Sequence, residues 1–264
     1  MRLVSIAQNV PGPAAIARLV RRGATAVKIE PPGGDALETL SKSWYDELHA
    51  GVRVERLDLK SHEGMTSLKA LLRECDLFVA SQRPAALARL GLDATSLARD
   101  YPALRHLNIV GDTAAPWHAG HDLTYQARHG LLRREMPLTL LADMVGAERA
   151  CAAAIELMND APGSNCVVGL ANVIHDIAAP LRHGLTAPGG PLGGGNPAYG
   201  LYAAREGMVA VAALEPHFRA RLFESLGLAD GSDPSAAFKT KTAREWEAWA
   251  KPLDLPIVAV KDLD

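Results

Sequence analysis

The first third of the chain alternates short apolar runs with amphipathic stretches. Leu3-Val4-Ser5-Ile6-Ala7 has the length and composition of a strand buried on both faces. Val10-Pro11-Gly12-Pro13 reads as a turn. Ala14, Ile16, Ala17, Leu19 and Val20 then recur at helical spacing up to Arg21-Arg22-Gly23, where positive charge and a glycine stop a helix. Ala26-Val27-Lys28-Ile29-Glu30 is a second strand, closed by Pro31-Pro32-Gly33-Gly34, so residues 3–30 predict one βαβ unit with a right-handed crossover. The alternation continues with an edge or half-buried strand at 54–58 and a helix capped by Ser61 and running through Arg73. A strand at 77–80, helices near 85–90 and 95–101, and a strand at 104–110 follow. Strands separated by helices predict an α/β fold, a mostly parallel sheet flanked on both faces by helices.

Beyond Ala161-Pro162-Gly163 the pattern changes. Pro188 to Pro197 is dominated by glycine and proline, holds too little apolar surface for a core, and reads as a linker or mobile loop. Tyr199–Tyr202 and Met208–Val211 flank Glu206-Gly207 as a hairpin, and 216–226 and 243–250 have helical spacing. The expected organisation is a large domain over 1–187, a glycine-rich linker over 188–195 and a smaller α+β domain over 196–264.

Composition narrows the function classes. The 264 residues are 48% hydrophobic and 22% charged, enough for a substantial core, and the net charge of −2 supplies no basic field for nucleic acid or an anionic membrane. No apolar run reaches membrane-spanning length and the N-terminus lacks a signal-peptide layout. Cys75, Cys151 and Cys166 are odd in number and widely spaced, as expected of reduced thiols in a cytoplasmic protein.

Candidate chemistry centres on Gly120-His121-Asp122 and Ala142-Asp143. Each segment stands at the start of a predicted helix, and together they offer an imidazole and a carboxylate. Those groups can remove a proton from a carbon beside a carbonyl and return it. The local alternatives are plainer: His121 as a turn or cap residue, Asp143 as the N-cap of a helix from Val145 to Met158, and Asp122 as the cap of a helix through Leu132. His118, His121 and His129 lack the cysteine or carboxylate partners of a zinc site, and no metal is expected. Gly12 after the first strand and Glu30 at the end of the second mimic a dinucleotide-binding layout. Gly12 stands alone, however, and Pro11 and Pro13 remove two backbone donors that a phosphate needs. Trp246 and Trp249 read as packing residues of the last helix.

Several segments in order carry a resemblance. Gly12-Pro13, Gly23-Ala24 and Val27-Lys28-Ile29-Glu30-Pro31-Pro32-Gly33-Gly34-Asp35 resemble the opening of the class III CoA-transferase family, also called CaiB/BaiF. Leu57-Asp58-Leu59-Lys60-Ser61, Arg83-Pro84 with Leu90-Gly91-Leu92, Gly120-His121-Asp122 with Tyr125, Ala142-Asp143 and the stretch from Tyr199 to Phe218 continue the series. The histidine is similar to the family's racemase branch. The resemblance implies a Rossmann-like large domain with a small domain, an interlocked homodimer, and coenzyme A as part of the substrate with no other cofactor. It further implies His121 and Asp143 as the catalytic pair with Glu215 in support, and Lys28, Arg53, Lys60 and Arg83 as contacts to coenzyme A. The expected activity is 1,1-proton transfer at the α-carbon of an acyl-CoA. The alternatives are transfer of CoA between carboxylic acids through Asp143 as nucleophile, or a catalytically degenerate relative that binds CoA or serves as a scaffold. Ala50 and Val52 stand where the family carries cations, leaving Arg53, and Met144 to Arg149 carries one glycine where the family is glycine-rich.

Overall fold

A computed structural model describes residues 1–262 and divides the chain into two compact units, Met1–Ala178 and the residues from Ala179 onward. The division falls ahead of the glycine-rich stretch, which does not run as an open tether. Within it Gly189 N donates to Gly193 O (3.0 Å), Gly190 N to Ala187 O (2.7 Å) and Gly195 N to Gly190 O (2.9 Å), so successive turns fold on one another. A Cβ on Gly190, Gly193 or Gly195 would run into a backbone carbonyl of the preceding turns.

The first unit is a six-stranded sheet of β1 (Arg2–Ser5), β2 (Thr25–Glu30), β3 (Val52–Arg56), β4 (Leu77–Ala80), β5 (Arg105–Val110) and β6 (Asn165–Gly169). The strands pair in parallel in the order β3-β2-β1-β4-β5-β6, the doubly wound arrangement. Its interior strands are apolar at successive positions because both faces are covered. Leu3, Leu77, Val79 and Leu107 face the helices Pro11–Val20 and Leu141–Asn159, whereas Val4, Phe78 and Ala80 face His62–Glu74, Pro84–Leu90 and Ala94–Asp100. The helix Leu141–Asn159 buries mostly small residues, Ala142, Gly146, Ala147, Ala150 and Ala154 among them. The second unit pairs β7 (Tyr199–Ala203), β8 (Met208–Ala212) and β9 (Ile257–Ala259) antiparallel over Phe223, Phe238 and Trp246, whose indole N–H donates to Phe238 O at 2.7 Å. Among the described residues no helix is long and apolar enough to cross a membrane.

The helix after β1 begins at Pro11 rather than at Ala14. Proline suits a first turn, whose N–H groups have no intrahelical acceptor, so the expected turn is instead the helix start. Gly12 is required there by contact, not by a phosphate: its Cβ would strike the Cβ of Ala7. Strand β6 and the helix Leu170–Ile177 lie where only a change of character was expected.

Lys28 departs from expectation. It is fully buried, with Nζ 3.0 Å from Glu30 Oε1, 2.6 Å from Asp35 Oδ2 and 2.9 Å from His49 Nε2, and is unavailable to a phosphate of coenzyme A. His49 donates from Nδ1 to Tyr45 O (2.6 Å), which leaves Nε2 to accept from the ammonium; burial lowers its pKa and keeps it neutral. Tyr45 donates to Glu30 Oε1 (2.9 Å). Glu30 is thereby closed to a ribose, which removes the dinucleotide-like layout. Asp35 caps the helix Ala36–Leu40 through Leu37 N (3.0 Å) and also accepts from Asn9 N (3.1 Å). Asn9 holds the left-handed conformation at φ 64°, a turn that asparagine tolerates better than most residues.

Two substitutions test this packing. Lys28→Ala leaves two buried carboxylates without their cation and should lower unfolding free energy by about 3–5 kcal/mol in urea titrations. Gly12→Ala forces a shift between the end of β1 and the helix Pro11–Val20 and should cost about 1–3 kcal/mol in the same assay.

Candidate active site

Strands β1 and β4 are neighbours whose connections leave in opposite directions, β1 toward β2 and β4 toward β5. A crevice must open beyond their carboxyl ends, where open α/β sheets bind ligands. Gln8 N donates to Ser81 Oγ (3.1 Å) and Gln82 Nε2 donates to Ile6 O (2.6 Å), tying the loops after the two strands together. Two cavities meet at these residues, and Gln8 and Gln82 line both.

The larger cavity, about 920 Å³, is mostly apolar. Ile6, Ile29, Leu57, Leu59, Met65 and Leu90 form its walls, with Lys60, Ser61 and Arg89 at its edge. Lys60 and Arg89 are exposed and enter no ion pair among the described residues. Arg89 was not singled out from the sequence; one basic residue on a short helix carries no signal until the sheet brings that helix beside Lys60.

The smaller cavity, about 280 Å³, is lined by His121, Asp143, Tyr125, Arg83, Asn9 and His118 among others. The structure therefore joins His121 and Asp143, which the sequence places far apart. His121 immediately precedes the helix Asp122–Arg128; its N–H donates to Thr124 Oγ1 (3.0 Å) and Thr124 Oγ1 donates to His121 O (2.8 Å). The backbone of His121 is thereby held at both its amide and its carbonyl. Tyr125 packs against Gly111 and Gly120, at either of which a Cβ would overlap its ring or hydroxyl. Glycine before the histidine is thus a space requirement of the tyrosine.

Asp143 is not an N-cap. It lies in the first turn of Leu141–Asn159, and the cap comes from another helix: buried Asp122 accepts from Ala142 N (2.6 Å) and Asp143 N (3.2 Å), and from Gln126 Nε2 (2.6 Å). Asp122, expected to cap its own helix, serves its neighbour. Met144 N donates to Leu140 O (2.9 Å), so the N–H groups of Ala142, Asp143 and Met144 are all engaged and not open to an oxyanion. Burial, and secondarily the charge of Asp122, pushes the Asp143 carboxyl up to about 7. Burial, then the charge of Asp143, raises the Tyr125 hydroxyl.

The remaining expected contacts disperse. Arg53, exposed on β3, pairs with Glu55 (3.0 Å) and lines a separate cavity with Arg2 and Glu74, so it does not join Lys60. Glu215 belongs to the second unit, exposed just before the helix Pro216–Leu226. Arg83 lies with His121 and Asp143, not with Lys60.

Known proteins share this architecture. Mouse alpha-methylacyl-CoA racemase is 28% identical over 93% of this chain and 73% of its own length. The cinnamoyl-CoA:phenyllactate CoA-transferase of Clostridium sporogenes is 31% identical over 42% of this chain and 30% of its own. The crystal structure of a CaiB/BaiF family protein from Brucella suis superposes with a TM-score of 0.80 at 19% identity, covering 100% of this chain and 83% of that one. The CoA-transferase family III model matches residues 1–257, and its members include racemases and CoA-transferases; the chain belongs to CoA-transferase family III.

Proposed function

We propose that this protein is an acyl-CoA enzyme that moves a proton at the α-carbon of the thioester, with His121 and Asp143 as the acid–base pair. The observation that carries the reading is their convergence on one cavity at the sheet's switch point, with Asp143 titrating near neutrality. A carboxyl balanced there serves equally as donor and acceptor, which inversion of a carbon centre requires. In one direction His121 takes the α-hydrogen, the C–H pair passes into an enolate, and protonated Asp143 returns a proton on the other face. The reverse direction exchanges the roles. Lys60 and Arg89 at the rim of the larger cavity suit the phosphates of coenzyme A, and its apolar walls suit the chain that leads from them to the sulfur.

The second reading, transfer of CoA through an acyl anhydride on Asp143, is supported by the likeness to CoA-transferases. It needs an ionised nucleophile, which burial of Asp143 opposes.

In heavy water, an α-branched short acyl-CoA should exchange its α-hydrogen, and His121→Ala or Asp143→Asn should slow that exchange by about 10²–10⁴-fold. Binding without exchange, together with an acyl adduct on Asp143 trapped by hydroxylamine, would replace this reading by the second one. The titration of Asp143 is separately measurable. Its folded pKa is raised from 3.8 to about 7, so the stability that wild type holds over Asp143→Asn should be greatest below about pH 4. It should decline as pH rises and be lost by about pH 7, as followed by urea unfolding across that range.

A further inference from the structure

The cavity that holds His121 and Asp143 also holds a cation with no counter-ion among the described residues. Arg83 precedes the helix Pro84–Leu90 and engages its start through the backbone, accepting from Ala86 N (2.8 Å) and Leu87 N (3.1 Å). Arg83 is exposed, and among the described residues its guanidinium forms no ion pair or hydrogen bond. It lines the same small cavity as His121, Tyr125 and Asp143. The other candidate cations are placed differently: Lys60 and Arg89 flank the larger cavity, Lys28 is internal, and Arg53 lines neither.

The two cavities also differ in what they can hold. The larger is walled by aliphatic side chains. The smaller holds about 280 Å³ and mixes apolar Ile109, Val110 and Leu170 with Ser81, Gln82, Arg83 and the acid–base pair. An apolar branched tail placed there would strip water from an arginine and several polar groups without replacing their hydrogen bonds. A short tail that ends in two acceptor oxygens would instead meet the planar, always charged fork of a guanidinium.

We infer that Arg83 is a specificity-determining residue that selects a short acyl-CoA carrying a second carboxylate, held at the far side of the carbon that His121 and Asp143 serve. This rests on the acyl-CoA reading above and names the substrate class for that site.

Titration calorimetry of the full chain with coenzyme A, butyryl-CoA and succinyl-CoA tests it, since the two thioesters share chain length and differ in the terminal group. Wild type should bind succinyl-CoA on the order of tenfold more tightly than butyryl-CoA. Arg83→Gln, at an exposed position, should abolish that difference while leaving affinity for coenzyme A and butyryl-CoA unchanged. Lys60→Ala should weaken all three ligands alike. Equal or tighter binding of butyryl-CoA by wild type would overturn the inference. So would a uniform loss in Arg83→Gln, which would put Arg83 on the coenzyme A portion. Failure of coenzyme A itself to bind wild type would overturn the acyl-CoA reading and this inference with it, a pattern distinct from either of the other two.

Discussion

The geometry of the site hangs on the carboxylate of Asp122. A helix begins with N–H groups that its own backbone cannot satisfy, and those of Leu141–Asn159 are met from a different helix. One buried anion, itself in the first turn of Asp122–Arg128, accepts from Ala142 N and Asp143 N. The residue that follows His121 thus holds the backbone of Asp143 itself. The same charge repels ionisation of Asp143 and adds to the effect of burial. Anchoring and acidity are therefore one device: a neutral asparagine at 122 would keep much of the shape and lose the electrostatic part.

The sheet explains why two cavities adjoin. Its order reverses between β1 and β4, and the loops that leave them are stitched by Gln8, Ser81 and Gln82. On one side the ends of β1 and β2 with the helices His62–Glu74 and Pro84–Leu90 enclose a broad apolar trough. On the other, the loop before His121 and the start of Leu141–Asn159 enclose a smaller chamber whose lining is part polar, part apolar. A long ligand crossing the seam would place a polyanionic end and a reacting end in different electrostatic surroundings, which uniform walls could not provide.

Much of this was legible in the sequence because the layers are periodic. Leu77–Ala80 reads as a buried strand and is one, and Ser61 caps its helix through Gly64 N at 3.0 Å, as its position suggests. The helical stretches of the second unit follow their apolar spacing. Failures came where tertiary contact overrides local pattern. Lys28 looks like a basic strand end, but Glu30, Asp35 and His49 claim it once the chain folds back. Asp143 looks like a cap because an aspartate before an apolar helix usually is, and only the approach of Asp122 removes that role. Short β6 offered too few apolar residues to distinguish itself from a loop. The pairing of His121 with Asp143 was inferred from family resemblance, since spacing along the chain says nothing about convergence across a sheet.

The left-handed turn at Asn9 carries a consequence for how a ligand is received. Its amide is claimed by Asp35, and Asp35 is claimed by Lys28 inside a cluster that solvent does not reach. The turn cannot relax without exposing that cluster, so this wall of the chamber is as firm as the sheet edge behind it. Arrival of a substrate finds that wall already set, and binding energy that a floppy loop would consume in ordering remains available to align the reacting carbon.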